Sequence, residues 1–359
     1  MFLDRPAQIL ASIRNGMAAR PKMVNIGGRP VLVSGKHSPS DSHRSIERLK
    51  LAMAFAAIYL VWGATYLAIR YAVETIPPLI AVSIRHSVAG GVLLAWAYAR
   101  GFRPKREHWT SGFILGALFF LVGHGTLHWA EQYVGSGLAA LLVATEPMFI
   151  LVLAWMTRQQ RIQLLSLLGL GLGVAGVAIL MGAELTGKGS TLTGVVAVLV
   201  GSLSWASGVV ISPKLKLPVD SLARTAVPLV CGASLLWIAA AVSGEFHQVG
   251  WAEVSMRSIG GLAFLIVFGS IVAFTAYMWL LQRCPPALVA THTYANPVVA
   301  VLLGWLLAGE PLTLRVVVAS AAILGAIVLI RRGESVATAE STNQRAAEGE
   351  LRPAMEKVS

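Results

Sequence analysis

Apolar residues along this chain occur in long, nearly unbroken runs. Neither the alternation of a half-buried strand nor the narrow stripe of a soluble helix is present. An apolar run of about 18 or more residues is long enough to cross a bilayer as an α-helix. Ten such runs follow one another, at roughly 51–69, 77–99, 110–129, 136–156, 163–183, 192–212, 222–243, 258–281, 287–308 and 313–330. The pattern predicts an all-α polytopic membrane protein with ten transmembrane helices.

The composition agrees with this fold class. Of the 359 residues, 56% are hydrophobic and 13% are charged, whereas a soluble domain carries about twice that charged fraction. The net charge of +12 would suggest a nucleic-acid partner in a soluble protein. Here the basic residues lie in connectors and in the N-terminal tail, so we expect the lipid bilayer as partner and no nucleic acid. Cys231 and Cys284 indicate neither a disulfide nor a metal site.

The basic residues also predict the orientation, since cytoplasmic connectors collect Lys and Arg. The even-numbered connectors and the end of the last run contain Arg100, Arg103, Lys105, Arg106, Arg158, Arg161, Lys214, Lys216, Arg224, Arg283, Arg331 and Arg332. The odd-numbered connectors contain more acid and less basic charge. We therefore predict that both termini are cytoplasmic, with residues 1–49 a disordered basic tail and 333–359 a second disordered tail.

An internal repeat becomes visible when the chain is shifted by 150 residues. Trp129 then coincides with Trp279, Pro147 with Pro297 and Trp155 with Trp305, all in one ungapped register. Chance matching among apolar residues is the alternative explanation. Residues 50–184 and 190–332 each hold five runs, and an odd number of spans means that the second half enters the membrane inverted. Inverted repeats are typical of secondary transporters, whose substrate binds near the midplane.

Several stretches resemble one known family. They are "AIYLVWGATYLAIRYAVETIPPLIAVSIRHSVAGGVLLA" (57–95), "SGLAALLVATEPMF" (136–149), "SLSWASGVVISPKLKLP" (202–218) and "FGSIVAFTAYMWL" with "PALVATHTYANPVVAVLLGWLLAGEPLT" (268–313). They are similar to the EamA family of the drug/metabolite transporter superfamily, and within it to a YedA-like subgroup of the bacterial inner membrane. The resemblance covers about residues 50–332. It implies two inverted five-helix EamA repeats, export of small metabolites or drugs, and a central cavity lined mainly by helices 1–4 and 6–9.

One motif departs from the subgroup. Where its members tend to have Gly-Asn-Gly in the third helix, this chain has Gly123-His124-Gly125. A substrate known for the subgroup therefore does not transfer to this chain.

Glu146 is the most conspicuous polar residue, since it lies about ten residues from either end of the fourth run. An ionised carboxylate at that depth costs several kcal/mol unless it meets water or a partner. Pro147 lacks an N–H and frees a carbonyl one turn earlier, which predicts a kink. Glu146 is therefore a candidate to take a proton or to contact a cationic substrate, with a nearby cation such as Arg85 stabilising its charge. The alternative is a structural partner between helices.

Further candidates to line the cavity lie in other runs. Asn296 is the repeat counterpart of Glu146, with His292 and Tyr294 nearby; Arg85 and His124 are polar residues within apolar runs; and the aromatic candidates are Trp62, Tyr66, Trp205 and Tyr277. Each has a structural alternative, namely helix packing for the aromatic residues and backbone or acid pairing for Arg85. His124 and His128 share a helix face, but no third ligand is evident, so no metal is predicted. Glu131, near the outer end of the third run, is expected to be a rim charge.

These features together predict a secondary transporter that exports amino-acid-like solutes or drugs by alternating access. No nucleotide-binding loop and no cofactor motif is found, so protons are a candidate coupling ion. The small residues of 169–182 favour close helix packing or a homodimer contact. A polytopic enzyme acting on lipid-linked substrates is the alternative, but the short connectors offer it no cluster of acids or histidines.

Overall fold

The computed structural model describes residues 23–26, 29–32, 41–159, 163–184, 189–281, 283–284, 289 and 292–333. Its contacts divide the chain into two units, Met1–Met53 and Ala54–Ser359. In the first unit, strands β1 (Met23–Ile26) and β2 (Arg29–Leu32) pair antiparallel. A two-stranded hairpin by itself is only marginally stable in water. Residues 334–359, which were predicted as a second tail, lie outside the described part.

The described residues also form ten longer helices, with short helical segments at Ser212–Lys214, Glu245–Gln248 and Trp251–Glu253. The longer helices are α1 (41–72), α2 (Pro78–Ala99), α3 (Arg106–Ala130), α4 (Ser136–Met156), α5 (Leu164–Glu184), α6 (Gly189–Ile211), α7 (Ser221–Val242), α8 (256–281), α9 (His292–Ala308) and α10 (Leu314–Gly333). The first helix begins at Asp41, about ten residues before its apolar run. A salt bridge of 2.9 Å between Lys50 and Glu47, one turn apart, supports this polar extension.

Eight of these helices are long and apolar enough to cross a membrane. In α5 and α9 the apolar helical segments among the described residues are shorter, Leu164–Ile179 and Ala295–Ala308. Many large apolar side chains point outward, including Leu168, Val174 and Trp305. An outer surface of this kind suits a lipid environment, and the chain is a polytopic membrane protein.

Four of the helices depart from regular α-helical geometry. A π-helical stretch occurs in α1 (Ala57–Val61), in α3 (Gly116–His124) and in α8 (Leu265–Val272). The fourth departure is in α4, where one segment ends at Val143 and the next begins at Glu146. The missing N–H of Pro147 explains this break, which lies at the place where the sequence predicted a kink. Such irregular stretches expose backbone carbonyls inside a bundle.

Helices from the first half of the chain pack mainly on helices from the second half. Between α1–α4 and α6–α9, the contacting pairs are α1 with α8 and α9, α2 with α7 and α8, α3 with α6 and α7, and α4 with α6 and α9; α1 also contacts α4, α2 contacts α3, and α5 contacts α6. Exchanging each helix for the one five places away leaves the eight pairs between α1–α4 and α6–α9 unchanged. The interior of the bundle is therefore built jointly by α1–α4 and α6–α9.

The glycine-rich face of α5 packs within the same chain, against α10. A methyl group built on Gly169 would lie 2.8 Å from the Ala326 carbonyl oxygen, and one on Gly176 would lie 2.9 Å from Ile323. Only glycine allows so close an approach of the two helices. Of the two roles predicted for these small residues, close packing is confirmed, and it occurs between α5 and α10.

Candidate functional site

Trp62 is the centre of a first aromatic group in the bundle, which we call the Trp62 cluster. Its ring lies 5.2 Å from Tyr277, 4.8 Å from His292 and 6.3 Å from Phe274, measured between ring centroids. Its indole Nε1 donates a hydrogen bond of 3.0 Å to the carbonyl of Gly269, in the π-helical stretch of α8. Three candidates from three different helices therefore meet here. They form a half-buried surface of aromatic faces and polar atoms.

Asn296 adds an amide next to this cluster. The orientation of its side chain that satisfies both polar atoms lets the nitrogen donate to the carbonyls of Ile58 and Tyr59, each at 3.2 Å, and the oxygen accept from His292 Nδ1. The two carbonyls belong to the π-helical stretch of α1. Asn296 is buried and joins α9 to α1, so its present contacts are structural. The side chain of Tyr294 lies outside the described part of the chain.

A second aromatic group, the Trp205 cluster, lies where α6 meets α3. Trp205 stacks on His124 with 5.2 Å between centroids and 25° between planes, and it lies 4.5 Å from Phe119. His124 Nδ1 is 2.9 Å from Nε2 of His86 on α2. His128 Nδ1 donates to the His124 carbonyl at 2.8 Å. Trp62 and Trp205 thus each lie at the centre of an aromatic group that includes a histidine.

Charged and phenolic side chains lie deeper in the same bundle. Arg85 is buried, and its Nε donates to Ser270 Oγ of the α8 π-helical stretch at 3.1 Å. It interacts electrostatically with Tyr66 and Glu131. Tyr66 in turn interacts with Glu146. The buried Arg85 therefore has both an anchor in α8 and an acid in reach, which agrees with the structural role offered as the alternative for it.

Glu146 lies half-buried at the start of the second segment of α4. The cation that acts on it is Arg331, at the end of α10, and not Arg85. Its charge also acts on Tyr277 of the Trp62 cluster. These interactions connect Glu146 to the Trp62 cluster and to Tyr66.

Glu131 is buried, with a relative exposure of 3%, so the expectation of a rim charge was wrong. Burial and the neighbouring carboxylate of Glu310 raise the pKa of Glu131 well above its usual range, while Arg70 and Arg85 oppose the shift. The carboxyl lies beside the backbone of Arg70, yet among the described residues neither of its oxygens accepts a hydrogen bond of good geometry. The turn after α3 folds this residue inward, which its place near the end of an apolar run could not reveal.

Two glutamates of the second half anchor helices of the first half. Glu310 accepts hydrogen bonds from Ser136 N and Gly137 N at the start of α4, at 2.7 and 2.9 Å, and forms a salt bridge with Arg70. Glu245 accepts from Leu79 N and Ile80 N at the start of α2, at 3.2 and 3.0 Å. Carboxylates are stabilising at helix N-termini because the backbone N–H groups there are unpaired.

All these contacts gather residues of odd-numbered connectors at one end of the bundle. The salt bridge between Arg257 and Glu74 and the hydrogen bond of 2.8 Å between Thr75 and Ser258 lie at the same end. The connectors after α1, α3, α7 and α9 therefore lie together at one end of the bundle, whereas the connector after α5, residues 185–188, lies outside the described part of the chain.

The sequence prediction missed His86, Glu245 and Glu310. His86 follows Arg85 directly inside an apolar run, and a titratable residue at that depth was a sufficient signal. The two glutamates gave no signal, because an acid in a short connector is ordinary. Within the described residues, no group of three or more His, Cys, Asp or Glu side chains is arranged to hold a metal ion.

Comparison with known proteins places the chain among transporters. The model of the EamA-like transporter family matches residues 49–182 and again 192–332. The "Uncharacterized inner membrane transporter YedA" of Escherichia coli K12 is 37% identical over 293 residues, covering 80% of this chain and 92% of that protein. The "Uncharacterized transporter YoaV" of Bacillus subtilis 168 is 27% identical over 285 residues, covering 78% and 94%.

The fold is also found among solved structures. One crystal structure superposes with a TM-score of 0.54 at 20% identity, over 80% of this chain and 97% of that chain. The predicted resemblance is thus confirmed, and the enzyme alternative is set aside because the named relatives are transporters. This polytopic, predominantly helical chain belongs to the EamA-like transporter family.

Proposed function

We propose that this protein is a secondary transporter that exports a small organic solute across the bacterial inner membrane by alternating access. The observation that carries the proposal is the Trp62 cluster. It joins α1, α8 and α9 at half-buried aromatic rings, and the charge of Glu146 acts on its Tyr277. Aromatic faces with the carboxyl group of Glu146 in electrostatic range suit a solute with an amino group, such as an amino-acid-like metabolite or a cationic drug.

The architecture of the proposal is ten spans in two inverted five-helix repeats. It is supported by the two matches of the family model, and by helix contacts that are unchanged when the halves are exchanged. In such a transporter the halves rock about a midplane site. α5 and α10 pack on each other outside the jointly built interior, as peripheral helices would.

We further propose that the end with the odd-numbered connectors faces outward and is closed in this conformation. Its closure is supported by the Arg70–Glu310 and Glu74–Arg257 salt bridges. The hydrogen bonds from the start of α2 to the Glu245 carboxylate support it as well. Access to the Trp62 cluster would then be from the cytoplasm. Opening the outer end requires these contacts between the two halves to separate.

The test is solute-induced thermal stabilisation of the purified protein in lipid nanodiscs. The panel contains amino acids, nucleosides and cationic drugs. A solute of this transporter should raise the melting temperature of the wild type. The rise should be lost in Trp62→Leu and Tyr277→Leu but kept in Trp251→Leu, which changes an exposed tryptophan of an outer connector. Stabilisation that is equal in all four proteins would contradict a site at the Trp62 cluster.

A solute that stabilises the protein is then loaded into proteoliposomes. Efflux faster than that from protein-free liposomes supports transport. Binding without any movement of the solute in either direction would overturn the proposed function.

A further inference from the structure

Two histidines from neighbouring helices form a hydrogen-bonded pair inside the membrane-spanning bundle. His86 Nε2 and His124 Nδ1 are 2.9 Å apart, and the rings are stacked with 5.0 Å between centroids and 20° between planes. In such a pair one nitrogen carries the hydrogen and the other accepts it. Both nitrogens at the contact, His86 Nε2 and His124 Nδ1, are therefore occupied by this one hydrogen bond.

The outer nitrogens of the pair are free among the described residues. His86 is 1% exposed, and its Nδ1 is buried without a hydrogen-bond partner. His124 is half-buried, stacks on Trp205, and uses only Nδ1 in the hydrogen bonds of its ring. The pair thus has one nitrogen that reaches accessible space, His124 Nε2, and one enclosed end, His86 Nδ1.

We propose that His86 and His124 form a one-proton binding site that is entered at His124 Nε2. The relevant starting tautomer has hydrogen on His124 Nδ1 and on His86 Nδ1. A proton binds His124 Nε2, and the Nδ1 hydrogen of His124 moves along the hydrogen bond to His86 Nε2. The result is a neutral His124 and a singly charged His86, with one N–H···N bond kept between them. Release reverses the same steps, and no other atom changes partner.

The geometry limits the site to a single proton. With two added protons, both nitrogens at the contact would carry hydrogen and neither could accept. The hydrogen bond would be lost, and two positively charged rings would be in contact, with their N–H nitrogens 2.9 Å apart. The site therefore distinguishes one proton from two, which two independent histidines would not do.

The groups around the pair favour easy release of this proton. On α2 the nearest charge is Arg85, and on α3 the neighbouring titratable group is His128; both act on His124 and His86. Packed against the pair, α6 contributes Trp205, and the apolar residues Leu229 and Leu236 of α7 pack around Phe120 beside His86. Among the described residues, no acid is one of the groups that act on either ring. A bound proton is thus opposed first by the burial of the charged ring and then by Arg85, and it is held mainly by the shared hydrogen bond.

His128 is not an equivalent third member. Its Nδ1 points at a carbonyl, which only accepts, so the hydrogen of neutral His128 is on Nδ1. Its Nε2 is enclosed and has no partner among the described residues. It has no hydrogen bond to the other two rings through which a proton could pass.

A proton that can bind and leave from the interior is what a coupling ion requires. This step rests on the proposed function, because a coupling ion has meaning only if the chain transports a solute. The closing experiment therefore measures proton binding and solute transport separately.

Proton binding is measured on the full-length protein in lipid nanodiscs, with histidine labelled by ¹⁵N in the ring. NMR spectra are recorded across a pH titration for the wild type, His124→Asn, His86→Asn and the control His247→Asn. Asparagine keeps a hydrogen bond to the remaining ring but binds no proton. His247 is an exposed residue of an outer connector.

In the wild type and in His247→Asn, we expect ¹⁵N–¹⁵N coupling across the pair and one titration step shared by both rings. Both signals should be lost in His124→Asn and in His86→Asn. Two independent steps, or rings that stay neutral throughout the pH range in which the protein is folded, would overturn the site. The wild-type spectrum alone can give this result, even if a variant fails to fold.

Transport is then measured with a solute that the thermal-shift panel identifies. Wild-type efflux should depend on pH, and His124→Asn should lose that dependence while still moving the solute. A wild type that moves no solute fails as a transporter, whatever its histidines bind. A His124→Asn variant with an unchanged pH profile would show that the pair is not the coupling site, while the transporter itself stands.

Discussion

Glu310 and Arg70 meet across the two halves of the chain, and the same carboxylate holds the start of α4. The salt bridge and the two backbone hydrogen bonds at Ser136 and Gly137 use both oxygens of Glu310. The Glu310 side chain is 12% exposed and that of Arg70 is 34% exposed. One side chain therefore fixes the relative position of α1, α4 and the connector after α9.

The first prediction concerns this anchor. Glu310→Ala removes an acceptor from two backbone N–H groups and from a guanidinium, and hydrogen bonds to charged groups contribute about 1.5–3 kcal/mol. We expect a lower melting temperature and faster modification of cysteines introduced at the odd-numbered connectors. The control is Glu253→Ala, an exposed acid of an outer connector. Equal behaviour of the two variants would show that the anchor contributes nothing.

The second prediction concerns pH and Glu131. Because the pKa of its carboxyl is raised in the folded state, the stabilising effect of its protonation is fully present below the unfolded pKa. That stabilisation is lost as the pH rises through the raised folded pKa. Glu131→Gln mimics the protonated form, so its melting temperature should exceed that of the wild type increasingly from pH 5 to pH 9. A constant difference over this range would contradict the assignment, and Glu253→Gln, which changes an exposed acid of the connector between α7 and α8, is the control.

The third prediction compares two glycines of α5. Gly169→Ala would place a methyl group 2.8 Å from the Ala326 carbonyl oxygen, whereas nothing lies within 4 Å of the same group at Gly171. Replacing glycine by alanine in a helix is worth about 1 kcal/mol in favour of alanine. We therefore expect Gly171→Ala to keep or raise the melting temperature and Gly169→Ala to lower it. Two variants that shift in the same direction would show that α5 and α10 do not pack as described.

The fourth prediction concerns the charge of Glu146. Glu146→Gln keeps the size and hydrogen bonding of the side chain but removes its charge. If that charge binds a cationic solute or a proton, efflux of the solute should lose its pH dependence or fall at least tenfold. Glu146→Asp should keep part of it. A fully active Gln variant with the wild-type pH profile would leave Glu146 without a role in transport.

A purely structural Glu146 would give a different result. The Gln variant would then lower the melting temperature or the abundance in the membrane, and the surviving protein would transport normally. Measuring both quantities on the same preparation separates the two cases.

The fifth prediction concerns orientation. A reporter fused after Arg332 should be cytoplasmic, and a tag inserted at Gly250, in the connector between α7 and α8, should be accessible from outside. Gly250 is exposed, and it lies outside the hydrogen bonds between Glu245 and the start of α2. Labelling of both positions from the same side would contradict the topology proposed from the basic connectors.

The sequence alone determined the class of the protein, the approximate positions of its helices, the break at Pro147 and the family. These features depend on short stretches of chain, because membrane insertion responds to the hydropathy of each segment and proline acts on its own helix. The matches of Trp129, Pro147 and Trp155 with residues 150 positions later were also readable, since they lie along the chain.

Only the tertiary structure decided which of the candidates lie together. It separated Trp62, Tyr277 and His292 from Trp205 and His124, and it brought His86 onto His124. It also showed that Glu131 is buried and that Glu310 binds both the start of α4 and Arg70 of α1. A uniformly apolar helix carries almost no sequence signal for its rotation about its own axis. The rotation is set by packing between helices distant in sequence, and it determines which side chains face one another.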